Sequence, residues 1–362
     1  MKIKYKGSNI VRQIALIVGV LLISTQISFS SETDGHHPTN DEEAYDAGKM
    51  IIEHVIDAHE WHIMTIGHTH VSVPLPIILY DEGNFSVFMS SKFHHGHKEY
   101  NGYKLEIDGD NKGKIVNTET GVLPLDLSIT KNVAAMLMSM IFISWMFISI
   151  ARSYTRRKGM APKGMQSLLE PLILFIRDDV AKASIGEKKY EKYMPYLLTL
   201  FFFIFLNNLF GLIPFFPGGA NLTGNIAVTG VMAVFTFLIT SFSANKNYWV
   251  HIINTPGVPW WLKMPIPLMP IVEIMGVFTK PFVLMVRLFA NITAGHIIVL
   301  GFMSLIFIFG NMNVALGYGV SVVSVAFAIF MGLLELLVAL IQAYVFTLLS
   351  ALYIGMATEE SH

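Results

Sequence analysis

The chain has 362 residues, 53% of them hydrophobic and 14% charged, with a formal net charge of −1 and a mean hydropathy of +0.54. Soluble domains carry about a quarter charged residues, so an ordinary soluble surface is excluded, and the near-zero net charge gives no hold on nucleic acid or acidic substrates. The absence of cysteine removes disulfides, thiol nucleophiles and Cys-ligated metals.

Lys2, Lys4, Lys6 and Arg12 precede an apolar stretch from Ile14 to Ile23, and Ser28 and Ser30 supply small residues for cleavage. That layout predicts a signal peptide over residues 1–30 rather than an uncleaved anchor, and a translocated segment over 31–130. The segment is polar and holds ten of the thirteen histidines. In His59-Glu60-Trp61-His62 the histidines are three apart. The two-turn zinc motif needs four, so no dedicated metal is expected. Residues 71–79 and 103–107 read as short strands, with Pro74 and Pro76 confining the first to an edge.

No Asp, Glu, Lys or Arg occurs between Asn132 and Ala151, between Tyr193 and Asn245, or between Leu288 and Leu334. Charge-free apolar runs of about 20 residues or more are membrane spans. The first span covers about 132–151. A basic loop from Arg152 to Lys192 follows, cytoplasmic by the positive-inside rule, with an amphipathic helix over Ser167–Ala183 lying on the inner surface. The next run is broken at Pro214 and Pro217, which predicts spans at about 193–216 and 224–243. A second inner loop carries Lys246, Lys263 and three tryptophans, Trp249, Trp260 and Trp261, suited to the interface.

Two further helices are predicted over about 271–309 and 314–357. The first would extend roughly 55–60 Å, about twice the hydrocarbon thickness. The fold is therefore an all-α polytopic membrane protein with five transmembrane helices. Its last two form a long, strongly tilted hairpin that needs another protein surface for support. Glu273, Lys280, Arg287 and His296 lie on the first long helix and Glu335 on the second. Ionisable groups at membrane depth mark an ion path by default. Arg287 cannot give up its proton, whereas His296 and Glu335 exchange protons readily. In an antiparallel hairpin, facing residues have a constant sum of numbers. His296 with Glu335 and Arg287 with Gln342 both imply a turn near residue 315, and Glu335 and Gln342 share a helix face.

The run Lys280–His296, with Arg287, Asn291 and His296 inside it, closely resembles the signature of subunit a of F-type ATP synthases. So do Glu273, Asn208 through Pro214, and the stretch from Glu335 through Ile341-Gln342-Ala343-Tyr344. The resemblance covers roughly Leu125 to the C-terminus. It implies a stator channel of a bacterial inner-membrane complex, with the N-terminal domain periplasmic and the C-terminus cytoplasmic. Its partners would be a ring of small c subunits, peripheral-stalk b subunits and the F1 catalytic sector. Arg287 would meet each ring carboxylate in turn and block leakage between two half-channels. Asn208, Asn291, His296, Glu335 and Gln342 match outer half-channel positions, and Glu273 matches one near the inner exit. Some members carry the acid and the imidazole of His296 and Glu335 in the opposite order. Gly211 stands where certain relatives have an aspartate, and the His-rich domain exceeds the family minimum.

No Gly-rich loop ending in Lys-Ser/Thr is present, so the chain is read as non-catalytic, without a cofactor. The rival readings are an independent secondary transporter, which would show paired repeats, and a membrane-anchored metal-binding or zinc-hydrolase domain.

Overall fold

The computed structural model describes residues 48, 57–66, 69–107, 111–213, 218–253 and 268–359. The expected signal peptide, Pro214, Pro217, Trp260, Trp261 and Lys263 lie outside them. The described residues divide into two compact units. One draws on residues up to 137, 210–220 and 299–330, the other on 138–209, 221–298 and 331–362.

The N-terminal part of the first unit is built from short antiparallel strands. β1 (Glu60–Ile66) pairs with β2 (Thr69–Pro74). β3 (Pro76–Asp81) lies between β4 (Asn84–Met89) and β7 (Leu125–Asp126), while β5 (Tyr103–Leu105) pairs with β6 (Ile115–Asn117). The predicted edge strand over 71–79 is thus two strands, and its second half is central. Pro76 is tolerated there because it is the first residue of β3, where a missing N–H costs little. Its carbonyl still accepts from Ile129 N–H. Ile77, Leu79, Phe88, Phe93, Tyr103 and Ile115 form the core of this part.

β7 leads into the first long helix, α1 (Lys131–Arg156). The first turn of α1 is fastened to the strand region: Lys131 N–H donates to Ala58 O, and Asn132 N–H to Asp57 Oδ1. A shorter helical stretch follows, starting as α2 (Met165–Phe175), loosening to π geometry over Ile176–Lys182 and closing with Ala183–Ile185. Then come α3 (Tyr190–Gly211), α4 (Ile226–Ser243), the short α5 (Lys246–Ile253), α6 (Leu268–Met312) and α7 (Val314–Thr358). Among the described residues, five helices (α1, α3, α4, α6 and α7) are long and apolar enough to cross a membrane. The membrane part is all-α, as predicted. α3 ends five residues before the expected Phe216. α6 and α7 have 45 residues each, roughly 67 Å of helix, longer than the apolar runs alone indicated. α4 begins where the Asn225 side chain accepts from Ala227 N–H, a cap that satisfies one orphan donor.

In the second unit, Leu197, Phe201, Phe202 and Ile204 of α3 pack with Ile176 and Val180, with Leu284 and Leu288 of α6, and with Ala343 and Phe346 of α7. The buried stripe of α7 is made largely of small residues: Ala339, Ala343, Thr347, Ser350, Ala351 and Ala357. Small side chains let helix backbones approach closely, which is how helices associate where no water drives them together. Ser350 and Thr236 of α4 also share a hydroxyl contact of 3.3 Å, and Tyr196 of α3 reaches Thr236 at 2.7 Å.

Candidate functional site

α6 and α7 reverse direction at Asn313, whose side chain accepts from Ala315 N–H and caps α7. In the first unit Phe302 stacks on Phe327, with centroids 5.0 Å apart. In the second unit His296 Nδ1 lies 3.4 Å from Glu335 Oε1, with side chains 18% and 13% exposed. The pairing expected from the hairpin register is therefore present. It depends on Gly295, because a Cβ there would sit 2.5 Å from the same Glu335 oxygen. The acid and the imidazole are shielded from bulk solvent and close enough to share a proton through a small adjustment.

Asn208 lies in the last turn of α3 and is buried. Its Nδ2 donates to Ala339 O at 3.4 Å, and its Oδ1 accepts from Thr223 Oγ1 at 2.5 Å. Ala339 is one turn beyond Glu335 and three residues before Gln342, which is also buried. The polar turn 221–225 is held from a second side by Thr293 of α6, whose hydroxyl donates to Gly224 O at 3.4 Å. Asn208 thus meets α7 between Glu335 and Gln342, and Glu335 in turn meets His296 of α6. Thr223 and Thr293 belong to the same neighbourhood and were missed from sequence. The only signal for Thr223 is a run of polar residues, Asn221 to Asn225, beside a charge-free span.

Arg287 and Asn291 are placed differently. On α6 the residues Leu284, Leu288 and Ile292 are buried, while Val283, Val286, Arg287, Ala290, Asn291 and Ala294 are exposed. Arg287 therefore stands on the uncovered face. Among the described residues no hydrogen bond or ion pair joins it to Gln342, the partner that the register arithmetic proposed. Glu273 lies two turns before Lys280, near Tyr248 of α5. Burial raises the Tyr248 phenol, and the Glu273 charge raises it further. Lys280 Nζ sits 5.5 Å over the Tyr353 ring. Both line a cavity of about 20 Å³ with Thr236, Thr240, Ser241 and Tyr248, large enough for one water.

This constellation lies inside a stretch with known relatives. The family described as ATP synthase A chain matches residues 133–355. A protein of Chloroherpeton thalassium, ATP synthase subunit a, is 46% identical over 245 residues, covering 66% of this chain and 69% of its own length. The chain belongs to the ATP synthase A chain family. Similar relatives include ATP synthase subunit a 2 of Chlorobaculum tepidum, 48% identical over 248 residues (66% of each chain). Another is ATP synthase subunit a 2 of Prosthecochloris aestuarii, 47% identical over 246 residues, covering 66% of this chain and 71% of the relative. Membership in the ATP synthase A chain family makes the chain a membrane protein of the Fo sector, concerned with proton transport and ATP synthesis.

The strand-rich part is similar to a second family model. A domain of unknown function, DUF8433, matches residues 50–133. Two of its histidines meet carboxylates: His59 Nε2 is 2.7 Å from Asp126 Oδ2, and His95 Nδ1 is 2.7 Å from Glu60 Oε2. Burial works to raise the Asp126 carboxyl, but hydrogen bonds from His59 and Ser128 outweigh it and hold it lowered to about 2. Among the described residues no three His, Asp or Glu side chains converge on a point where a metal could sit.

Proposed function

We propose that the chain is the proton-conducting stator subunit of the complex, working through two half-channels against a ring of small c subunits. The observation that carries this reading is the division of labour on α6. A permanent cation, Arg287, faces outward on a surface that none of the described helices covers. Nine residues on, roughly 13 Å along the axis, His296 turns inward to Glu335.

A proton entering on the outer side is handed along the Asn208, Gln342, His296 and Glu335 neighbourhood to a ring carboxylate. Neutralised, that carboxyl turns into the lipid. After rotation it meets Arg287 again, loses its proton to the inner path near Glu273, Tyr248 and Lys280, and pairs with the guanidinium. Because Arg287 stays charged at any working pH, it attracts the bare carboxylate and repels a proton that would cross directly. Asn291, one turn after Arg287 on the same exposed face, offers the passing carboxylate a neutral hydrogen-bonding group. Each charge moved through 100 mV supplies about 2.3 kcal/mol, so several must pass for each ATP. The chain catalyses no phosphate chemistry itself.

In this reading residues 1–30 are a signal peptide, 31–130 form a periplasmic domain and 131–362 form the channel in the bacterial inner membrane. The C-terminus is cytoplasmic, and peripheral-stalk b subunits and the F1 catalytic sector complete the assembly. The deciding experiment is Arg287→Ala in inverted membrane vesicles. The expected result is a complex that assembles but shows no ATP-driven proton pumping; normal pumping would overturn the proposal.

A further inference from the structure

The carboxamide of Asn208 has two neighbours of different chemistry. Ala339 offers a backbone carbonyl, which only accepts, so the amide nitrogen must face α7. The amide oxygen must then face Thr223, and the Thr223 hydroxyl must be the donor. All three groups are buried, so neither bond is replaced by bulk water. The turn that carries Thr223 is itself fixed, by Thr293 on Gly224 O and by the Asn221 side chain accepting from Gly224 N–H. Asn221 Nδ2 is buried with no partner among the described residues. The turn therefore brings a spare polar donor to the same place.

We infer that Thr223 is a positioning residue of the ion path: its hydroxyl sets the orientation of the Asn208 amide, which holds α7 at Ala339, one turn from Glu335. Nothing in the family match assigns this role. The inference rests on the proposed channel and deepens it, by making the turn between α3 and α4 part of the device that keeps Glu335 opposite His296. Without the hydroxyl, Asn208 Oδ1 is left buried and unpaired. An orphaned buried acceptor is costly, so the amide rotates or withdraws and its hold on Ala339 is lost.

The test uses vesicles carrying the whole complex, with subunit abundance checked by immunoblot. Thr223→Val keeps the shape and removes the donor. ATP-driven pumping should fall roughly threefold to tenfold, and the pH profile of passive conduction through membranes stripped of the catalytic sector should shift. Thr223→Ser should restore both. Asn208→Leu combined with Thr223→Val should be no worse than Asn208→Leu alone, since the two act through one bond. Unchanged pumping in Thr223→Val, an equal defect in Thr223→Ser, or multiplying defects in the double variant would each overturn the inference. If Thr223→Val does not reach the membrane, Thr223→Cys, a weak donor of similar size, is judged in the same way. Arg287→Ala in the same vesicles separates the two levels. Loss of pumping there with a normal Thr223→Val rejects only the role of Thr223, whereas normal pumping in Arg287→Ala rejects the channel reading itself.

Discussion

Glu335 reaches His296 by passing over Gly295, so the contact between acid and imidazole depends on a residue that touches neither proton. The bare Cα of Gly295 is where the carboxylate of the neighbouring helix rests, 2.5 Å from the place a Cβ would occupy.

Gly295→Ala should therefore displace the Glu335 carboxyl without removing any titratable group. The atom met is the far end of a flexible side chain, so it can move aside at little cost to the fold, but that side chain is one proposed to carry the ion. Passive proton conduction is expected to drop roughly tenfold while the complex stays assembled. Gly301→Ala, where a Cβ meets nothing within 4 Å, serves as the control and should be close to normal.

The pair His296 and Glu335 also admits an exchange experiment. His296→Glu alone places a second carboxyl where His296 Nδ1 now lies 3.4 Å from Glu335 Oε1, and two close carboxyls resist ionising together. Glu335→His alone leaves two imidazoles. Each single variant should lose most pumping, and the double variant His296→Glu with Glu335→His should recover a substantial part of it. A double variant as poor as the worse single one would show that orientation, not composition, decides conduction at this position.

The strand-rich domain should respond to acid through Asp126. Its carboxyl is lowered to about 2 in the folded chain, against about 3.9 when unfolded. The folded value is the lower one, so the stabilisation is complete above about pH 4 and fades as pH falls towards 2. Asp126 is partly exposed, and solvent screening reduces its contribution to about 1–2 kcal/mol. Brief pepsin digestion should leave the wild-type domain resistant near pH 4 and increasingly cleaved below it. Asp126→Asn should be more readily cleaved near pH 4, with a smaller further change on acidification.

Thr236 joins α3 and α7 through the hydroxyls of Tyr196 and Ser350. Thr236→Val keeps the volume and breaks both links. Interhelical hydrogen bonds in membranes average about 0.6 kcal/mol, so a modest loss is expected, read as a fall of a few degrees in the detergent melting temperature. Thr236→Ser should melt like wild type.

How much of this was legible beforehand follows from the kind of signal each feature leaves. The five spans were visible because the bilayer forces charge out of long runs, and the hairpin turn was visible because antiparallel helices impose a symmetric register. His296 and Glu335 stood out as ionisable groups within apolar helices, and their pairing agreed with that symmetry. Arg287 and Gln342 obeyed the same arithmetic, yet their side chains leave opposite kinds of surface. Numbering fixes axial position, and helix rotation fixes which way a residue faces. Thr223 left almost no trace, since a polar residue in a turn is ordinary until the buried amide it serves is located. In β3 the proline rule misled because position within the strand matters more than its presence: Pro76 begins a central strand and only loses the ladder bond it could best spare.

The exposed face of α6 has a mechanical consequence. Around Arg287 it offers the short aliphatic side chains Val283, Val286, Ala290 and Ala294, flanked by the larger exposed Phe282 and Ile298. On the proposed reading, ring helices passing the short side chains beside Arg287 meet few hydrogen bonds to break there. Strong attraction is concentrated at one guanidinium, with a weaker polar stop at Asn291. In the proposed rotary reading Arg287 is then the one strong stop on this face, and changing Val283, Ala290 or Ala294 to bulky or polar residues would hinder the passage before it altered the chemistry.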